Sequence, residues 1–296
     1  MKKLILLLPL CLFLLSNIER PTPIKELPEK TGLTILKSAY PNEIDEIVYD
    51  YKLNDWAMIL RDSNGRKIRL FWAEGRILTA DRLTEAYKYR TQFYPYPEEI
   101  KNPATMDDEY IRKLNAYTSK NARKNSAISA PDFFDTIYDA RSRQSLESHL
   151  VKTSFLGKKT TVHEKIEEPL KRVEKTIYRR RLWSPEIRSF IRNLSSCDCY
   201  HWREVRDTGS RSFHSYAIAV DILPKGWGNK IIYWSWERDR NPNWMLVPIE
   251  KRWCPPQAVI DAFEAEGFIW GGKWDIWDNM HFEYRPELFL FREYEK

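Results

Sequence analysis

Cysteine is scarce in this chain, with four residues among 296, and this limits the metal sites and cross-links available to it. Cys197 and Cys199 are too close in sequence for a pair of zinc ligands, and a fourth soft ligand to accompany them is missing. We therefore expect no zinc site built on cysteine. Outside the cytoplasm, Cys197, Cys199 and Cys254 would allow one disulfide and one free thiol.

A strong excess of charge of one sign is also missing. The formal net charge is +6, and it would fall to +4 if Lys2 and Lys3 were removed with an N-terminal signal. The basic residues do not form the clustered stripe typical of nucleic-acid binders, so we expect no nucleic-acid partner. The modest positive surplus suits an anionic wall polymer or a membrane surface.

Long apolar runs are missing except at the N-terminus. A basic opening leads into the apolar residues 4–15, interrupted only by Pro9, which is typical of a secretory signal over residues 1–17 and too short for a comfortable transmembrane helix. No Ala-x-Ala cleavage site follows, so the segment could instead stay as a membrane anchor. Lipidation of Cys11 is disfavoured, because the small residue expected before it is missing. We expect an exported protein of the periplasm or cell envelope.

No internal repeat or low-complexity tract is visible, and we predict two parts after the signal. Residues 18–125 form an accessory region whose β signal runs over 32–78, with a hairpin turn at 62–65. Polar, helical segments follow this meander. Packing against the rest of the chain is favoured over partner binding as its role.

Residues 126–296 form the second predicted domain. We expect helices over 131–181, with His149 and His163 at the surface, and then a strand at 200–203. The aromatic residues of 227–253 either line a cleft or fill a core.

Two stretches near the C-terminus carry the residue types of a metal site. Small and branched residues alternate over 217–222, which predicts a strand with Asp221 on the face cleared by alanines, and His214 lies in the loop before it. In the second stretch His281 and Glu283 share one strand face. The two stretches together supply two imidazoles and one carboxylate.

His214, Asp221 and His281 match the ligand set of a catalytic zinc, which takes about three protein ligands and leaves one position for water. With a single anionic ligand the metal would stay positively charged and acidify its water, so that a nearby carboxylate could take the proton. Asp278, three residues before His281, is our candidate for that base. One histidine beside a carboxylate is more often a structural pair, but the combined motifs favour zinc.

The same residues resemble the D-alanyl-D-alanine carboxypeptidase family of zinc peptidases (VanY-type), which share the hedgehog/DD-peptidase fold and include phage cell-wall endopeptidases. The family motif Ser-x-His-x-x-Gly-x-Ala-x-Asp is matched from Ser212 to Asp221, with Ala217 in place of glycine. The second family motif, Trp-Gly-Gly-x-Trp followed by Asp-x-x-His-Phe-Glu, is matched over 270–274 and 278–283. The resemblance covers about 184–296.

The resemblance implies an α+β chain whose C-terminal hedgehog/DD-peptidase-like domain, with its motif-bearing core at 184–296, has a small antiparallel sheet and flanking helices. Metal-activated water would hydrolyse peptidoglycan stem peptides, as a D-Ala-D-Ala carboxypeptidase or an L-Ala-D-Glu-type endopeptidase. Arg203 resembles the family arginine thought to hold the scissile carbonyl. Glu283 would orient an imidazole or bind a substrate ammonium group. Ser212 and Trp274 would support the ligands or the substrate.

The alternative function is a cell-wall-binding module of the same fold, with a structural zinc and no catalysis. Retention of Asp278 favours the peptidase, because a structural site needs no base beside an open coordination position.

Overall fold

A computed structural model describes residues 28–296. Its helices are α1 Glu29–Ala39, α2 Asp108–Thr118, α3 Lys120–Lys124, α4 Asp132–Ile137, α5 Arg143–Glu147, α6 Glu164–Arg180, α7 Pro185–Asn193, α8 Trp234–Arg238, α9 Gln257–Glu264 and α10 Pro286–Glu295. Its strands are β1 Ile44–Asp50, β2 Asp55–Arg61, β3 Lys67–Phe71, β4 Tyr89–Arg90, β5 Ile128–Ser129, β6 Leu150–Phe155, β7 Lys158–His163, β8 Leu194–Asp198, β9 Ala219–Pro224, β10 Phe268–Trp270 and β11 His281–Tyr284. Short 3-10 turns lie at Ala73–Gly75, Ala80–Lys88, Pro103–Thr105, Phe213–Tyr216, Trp244–Leu246, Ile249–Lys251 and Gly271–Lys273.

The C-terminal sheet is the element that positions the predicted site. Its four antiparallel strands follow the order β10-β11-β9-β8. Helix α9 packs against β10, and α6 packs against α9 and against β6 and β7. The predicted stripe of α6 is buried: Ile166, Leu170, Val173 and Ile177. The predicted α+β class, with a small antiparallel sheet and flanking helices in the C-terminal part, is confirmed.

The N-terminal region contains the predicted meander, in which β1, β2 and β3 form an antiparallel sheet. The turn after β2 is the predicted one, with Gly65 at a φ of 74°, a conformation that glycine adopts without strain. Helix α1 packs against α10, and one hydrophobic core includes Leu33 and Leu60 from this region and Phe291 from α10. The meander therefore packs against the rest of the chain.

The predicted β signal from residue 32 is wrong at its start, where α1 forms. Leu33, Leu36 and Tyr40 are all buried, and their spacing of three and four residues is the period of one helix face. Because this stretch is short, its helical spacing is hard to distinguish in the sequence from the pattern of the strands that follow.

The helices predicted over 131–181 are interrupted by a hairpin of β6 and β7. Its two-residue turn, Leu156 and Gly157, has φ values of 48° and 78°, as a tight hairpin turn requires. The β-branched residues 160–162 then favour a strand. The strand predicted at 200–203 is also wrong, since β8 ends at Asp198 and an irregular segment follows.

No helix within 28–296 is long and apolar enough to cross a bilayer. The predicted signal or anchor at residues 1–17 lies outside the described residues. The three cysteines in the described part of the chain, Cys197, Cys199 and Cys254, are free thiols.

His163 was predicted at the surface but is buried, with 1% of its area exposed. Its Nδ1 accepts a hydrogen bond from the backbone N–H of Lys165 at the start of α6, and burial lowers its pKa to about 4. His149 is half-buried between Asp139 and Glu164. Neither side chain is a free surface group.

The buried His163 predicts an acid-sensitive fold. An unfolded histidine titrates near 6.5, so the unfolded chain takes up the proton first, and stability present above pH ~6.5 is lost as pH falls towards 4. Between pH 7.5 and 4.5 this histidine should cost roughly 2 to 3 kcal/mol of unfolding free energy. His163→Asn keeps a hydrogen-bond acceptor without titrating. Urea unfolding at both pH values should show a correspondingly smaller loss in this variant, and an equal loss would contradict the account.

Candidate metal centre

Asp221 and His281 are brought together by strand register. In the antiparallel pair of β9 and β11, His281 lies directly opposite Asp221, so both side chains project from the same sheet face. Asp221 Oδ1 is 2.8 Å from His281 Nδ1. The alternating residues Val220 and Ile222 are fully buried, and this packing fixes which face Asp221 takes.

His214 reaches the same face from the 3-10 turn that precedes β9. Ser212 caps this turn, with its hydroxyl accepting from the backbone N–H of His214 at 3.3 Å. Ala217 ends the turn in the left-handed conformation, with φ 53° and ψ 36°. A side chain in this region costs about 1 kcal/mol, which glycine would avoid. The turn thus tolerates the Cβ and keeps its shape.

Hydrogen bonds on the outer side of each imidazole determine which nitrogen is free. His214 Nδ1 donates to the carbonyl of Cys199 at 2.6 Å, which leaves Nε2 without a proton. His281 Nε2 donates to Glu283 Oε1 at 3.0 Å, so Nδ1 is the nitrogen directed at the cluster, where a metal ion would replace a proton. His214 Nε2 and His281 Nδ1 lie 3.2 Å apart, and Asp221 reaches both.

These three side chains fit a bound metal ion. One ligand atom from each lies within 4.8 Å of the others, and no second group of this kind occurs in residues 28–296. Two nitrogen lone pairs and a carboxylate repel one another unless a cation lies between them. Two imidazoles and one carboxylate are ligands that zinc accepts in a catalytic site.

The electrostatics of the site also favour a cation. Burial raises the pKa of Asp221, but the neighbouring His214 and His281 hold it well below its usual range. Burial lowers the pKa of His281, but Asp221 and Glu283 raise it well above its usual range. The two shifts are reciprocal, because the imidazoles favour the ionised form of Asp221 and the carboxylates of Asp221 and Glu283 favour positive charge at His281. A divalent cation would be attracted by the same carboxylates.

Asp278 lies beside this cluster without joining it. Its Oδ1 is buried and has no hydrogen-bond partner among residues 28–296. Burial raises the pKa of Asp278 to about 7, with further contributions from His281, which lowers it, and Asp221, which raises it. The backbone N–H of Asp278 donates to the carbonyl of Gly271 at 3.0 Å. A Cβ on Gly271 would lie 2.7 Å from the Asp278 carbonyl oxygen. The Trp-Gly-Gly motif is therefore needed for this loop to approach Asp278.

Residues 206–284 match the family model described as D-alanyl-D-alanine carboxypeptidase. This confirms the predicted family resemblance, and the matched segment contains His214, Asp221, Asp278 and His281. A second model, described as Domain of unknown function (DUF8518), matches residues 32–94. Comparison with curated proteins and with solved structures gave no match.

Arg203 lies outside the carboxypeptidase match, at the rim of the site. Its side chain is exposed and forms no ion pair with the described residues, while its backbone N–H donates to Ser215 at 2.8 Å. Burial and the nearby Asp278 raise the pKa of Tyr233 to about 12, and Arg203 acts in the opposite direction. The charges of Asp278 and Arg203 therefore act on the Tyr233 hydroxyl in opposite directions.

Tyr233 lies near the site, and the sequence placed it only within the aromatic stretch 227–253, without a role of its own. Its backbone pairs with that of Asp278, a contact between distant segments that no motif spacing reveals. Some aromatic residues of the stretch 227–253 fill a core, which was one of the two predicted roles, and others are exposed. Trp234 and Trp244 fill a small core with Trp277, whereas Trp236 is half exposed.

Trp274 and Glu283 flank His281 on different sides. The Trp274 ring centroid is 5.6 Å from that of His281. Glu283 is buried and holds the imidazole N–H. Its burial favours orienting the imidazole over binding a substrate ammonium group.

Proposed function

We propose that this protein is an exported zinc-dependent peptidase that hydrolyses peptide bonds in the stem peptides of peptidoglycan. The observation that carries the proposal is the buried, unpartnered carboxylate oxygen of Asp278 beside the cluster of His214, Asp221 and His281. The carboxypeptidase match over residues 206–284 supports the substrate class.

His214 Nε2, Asp221 and His281 Nδ1 would hold the zinc ion. Zinc in such a site polarises a carbonyl and acidifies water. The ligands are kept in place by the Cys199 carbonyl and by Glu283, which also fix the tautomers. Ligands with such outer partners bind metal more tightly than free imidazoles.

Asp278 would act as general base and then as proton donor to the leaving amine. A carboxyl with a pKa near the working pH can both accept and release a proton, and burial moves Asp278 in that direction. Its Oδ1 has no partner within residues 28–296 that would compete for the proton. A purely structural metal site would not need this group.

Arg203 would donate to the carbonyl oxygen as negative charge develops on it. Its guanidinium is exposed and forms no ion pair within the described part of the chain, which leaves it free to donate to a substrate. Trp274, beside His281, would contact the substrate or shield the ligand.

Arg203→Ala should lower kcat by roughly 100-fold, the scale of losing one oxyanion donor, while zinc content stays unchanged. Arg192→Ala removes an equally exposed arginine from α7 and should behave as wild type. Steady-state kinetics on a stem peptide would measure kcat and KM separately and so distinguish transition-state stabilisation from ground-state binding. A rise in KM at constant kcat would instead assign Arg203 to ground-state binding.

Digestion of purified peptidoglycan tests the proposed function directly. Mass spectrometry of the soluble fragments would identify which bond of the stem peptide is cleaved. Released D-alanine indicates a carboxypeptidase, and cleavage between L-Ala and D-Glu indicates an endopeptidase. Zinc-loaded protein that binds the wall and releases no fragment would support the wall-binding alternative.

A further inference from the structure

A buried polar network connects the N-terminal region to the candidate metal centre. At its middle, Arg285 Nε donates to Glu287 Oε1 at 2.6 Å. Arg285 directly follows β11, and Glu287 lies in the first turn of α10. Their exposed fractions are 4% and 0%. Charged groups this deeply buried are stable only when their hydrogen bonds are satisfied.

Two residues of the N-terminal region complete the hydrogen bonding of Glu287. Tyr40, at the end of α1, donates its hydroxyl to Glu287 Oε2 at 2.8 Å. Gln92 donates its side-chain amide to Glu287 Oε1 at 3.0 Å, and its backbone carbonyl accepts from Arg285 Nη2 at 3.1 Å. Both residues are buried and lie within the segment that matches DUF8518.

The other end of the network contacts both chain segments that carry predicted ligands. Arg285 Nη1 is 3.8 Å from Glu283 Oε2, and the other oxygen of Glu283 holds His281 Nε2. The Arg285 guanidinium also lies 5.0 Å from the ring centroid of Phe213, the residue before His214. The position of Arg285 is therefore coupled to both imidazoles.

We propose that Tyr40 and Gln92 are positioning residues of the metal centre, acting through Glu287, Arg285 and Glu283. This inference rests on the proposed zinc centre. Without the Tyr40 hydroxyl, Glu287 Oε2 loses its donor, and without the Gln92 amide, Glu287 Oε1 keeps only Arg285 Nε. In either case Arg285 must move to compensate. Glu283 then holds His281 less firmly, so metal affinity falls. The N-terminal region is accordingly part of the site and not a separable module.

Zinc affinity of the full-length protein tests the proposal independently of catalysis. Dissociation constants would be measured by competition with a chromophoric chelator for wild type, Tyr40→Phe and Gln92→Met. Outer partners of metal ligands typically change affinity by 10–100-fold, and at this greater distance we expect a rise in Kd of about 5- to 10-fold. Tyr49→Phe is the matched control, because Tyr49 donates to Asn54 on the exposed side of the same region.

A purely structural role would lower the denaturation midpoint of the variants without changing the zinc Kd of the folded protein, and that result would overturn the inference. Gln92→Met keeps the test decisive if Tyr40→Phe does not fold. Wild-type protein without zinc affinity would overturn the zinc centre and this inference together. Wild-type affinity with an unchanged Kd in both variants would overturn the inference alone.

Discussion

Replacing His281 with alanine is expected to abolish zinc binding at stoichiometric metal and, with it, hydrolysis of stem peptides. The variant removes one of three ligands and also leaves Glu283 without its imidazole partner. Changes outside the ligand set cost about 10–100-fold in affinity, and the loss of a ligand should exceed this, at more than about 1,000-fold. Metal analysis after dialysis would measure the loss.

Two matched variants make this result specific. Glu283→Gln keeps every predicted ligand and should retain zinc with about 10- to 100-fold weaker affinity. His149→Ala removes a half-buried histidine that contacts Asp139 and Glu164 and should retain full occupancy. Unchanged occupancy in both His214→Ala and His281→Ala would refute the ligand assignment.

Asp278→Asn should leave zinc content and folding intact while the cleavage rate falls by roughly 100- to 10,000-fold, the range of general acid–base catalysis. The asparagine keeps the shape of the carboxylate and loses the proton acceptor. Because the three ligand atoms lie close together without Asp278, the metal should not be released. Zinc content and hydrolysis would be measured on one preparation.

Asp275→Asn is the control for this variant, because Asp275 is three residues away and pairs with Lys101 at the surface. It should cleave at the wild-type rate. A zinc-loaded Asp278→Asn protein that retains most of its activity would remove Asp278 from the mechanism. If the zinc-loaded wild type and the zinc-loaded Asp278→Asn variant are both inactive, the wall-binding alternative is favoured.

The sequence predicted that His214, Asp221 and His281 would lie together because the motifs encode the geometry that joins them. Alternation around Asp221 fixes which face of β9 it occupies, and the same period fixes His281 on β11. The register that pairs them then follows from burying the apolar faces of both strands. Turn residues likewise determined the hairpin at 62–65.

Other features of the fold and the site depend on contacts between residues far apart in the chain, which the sequence pattern does not reveal. The apolar face of helix α1 is buried because α10 packs against it. His163 is buried because residues around Tyr138 cover it. Tyr233 reaches Asp278 through an isolated backbone pairing. Two partners of Glu287, Tyr40 and Gln92, lie 247 and 195 residues before it along the chain.

The most direct test of the metal centre is anomalous X-ray scattering from a crystal of the zinc-loaded protein, recorded on both sides of the zinc absorption edge. The account predicts one peak per chain, about 2.0–2.2 Å from His214 Nε2, His281 Nδ1 and an oxygen of Asp221, with Asp278 close by but not bound. A fully occupied zinc located elsewhere, with His214 and His281 bridged only by hydrogen bonds, would contradict it.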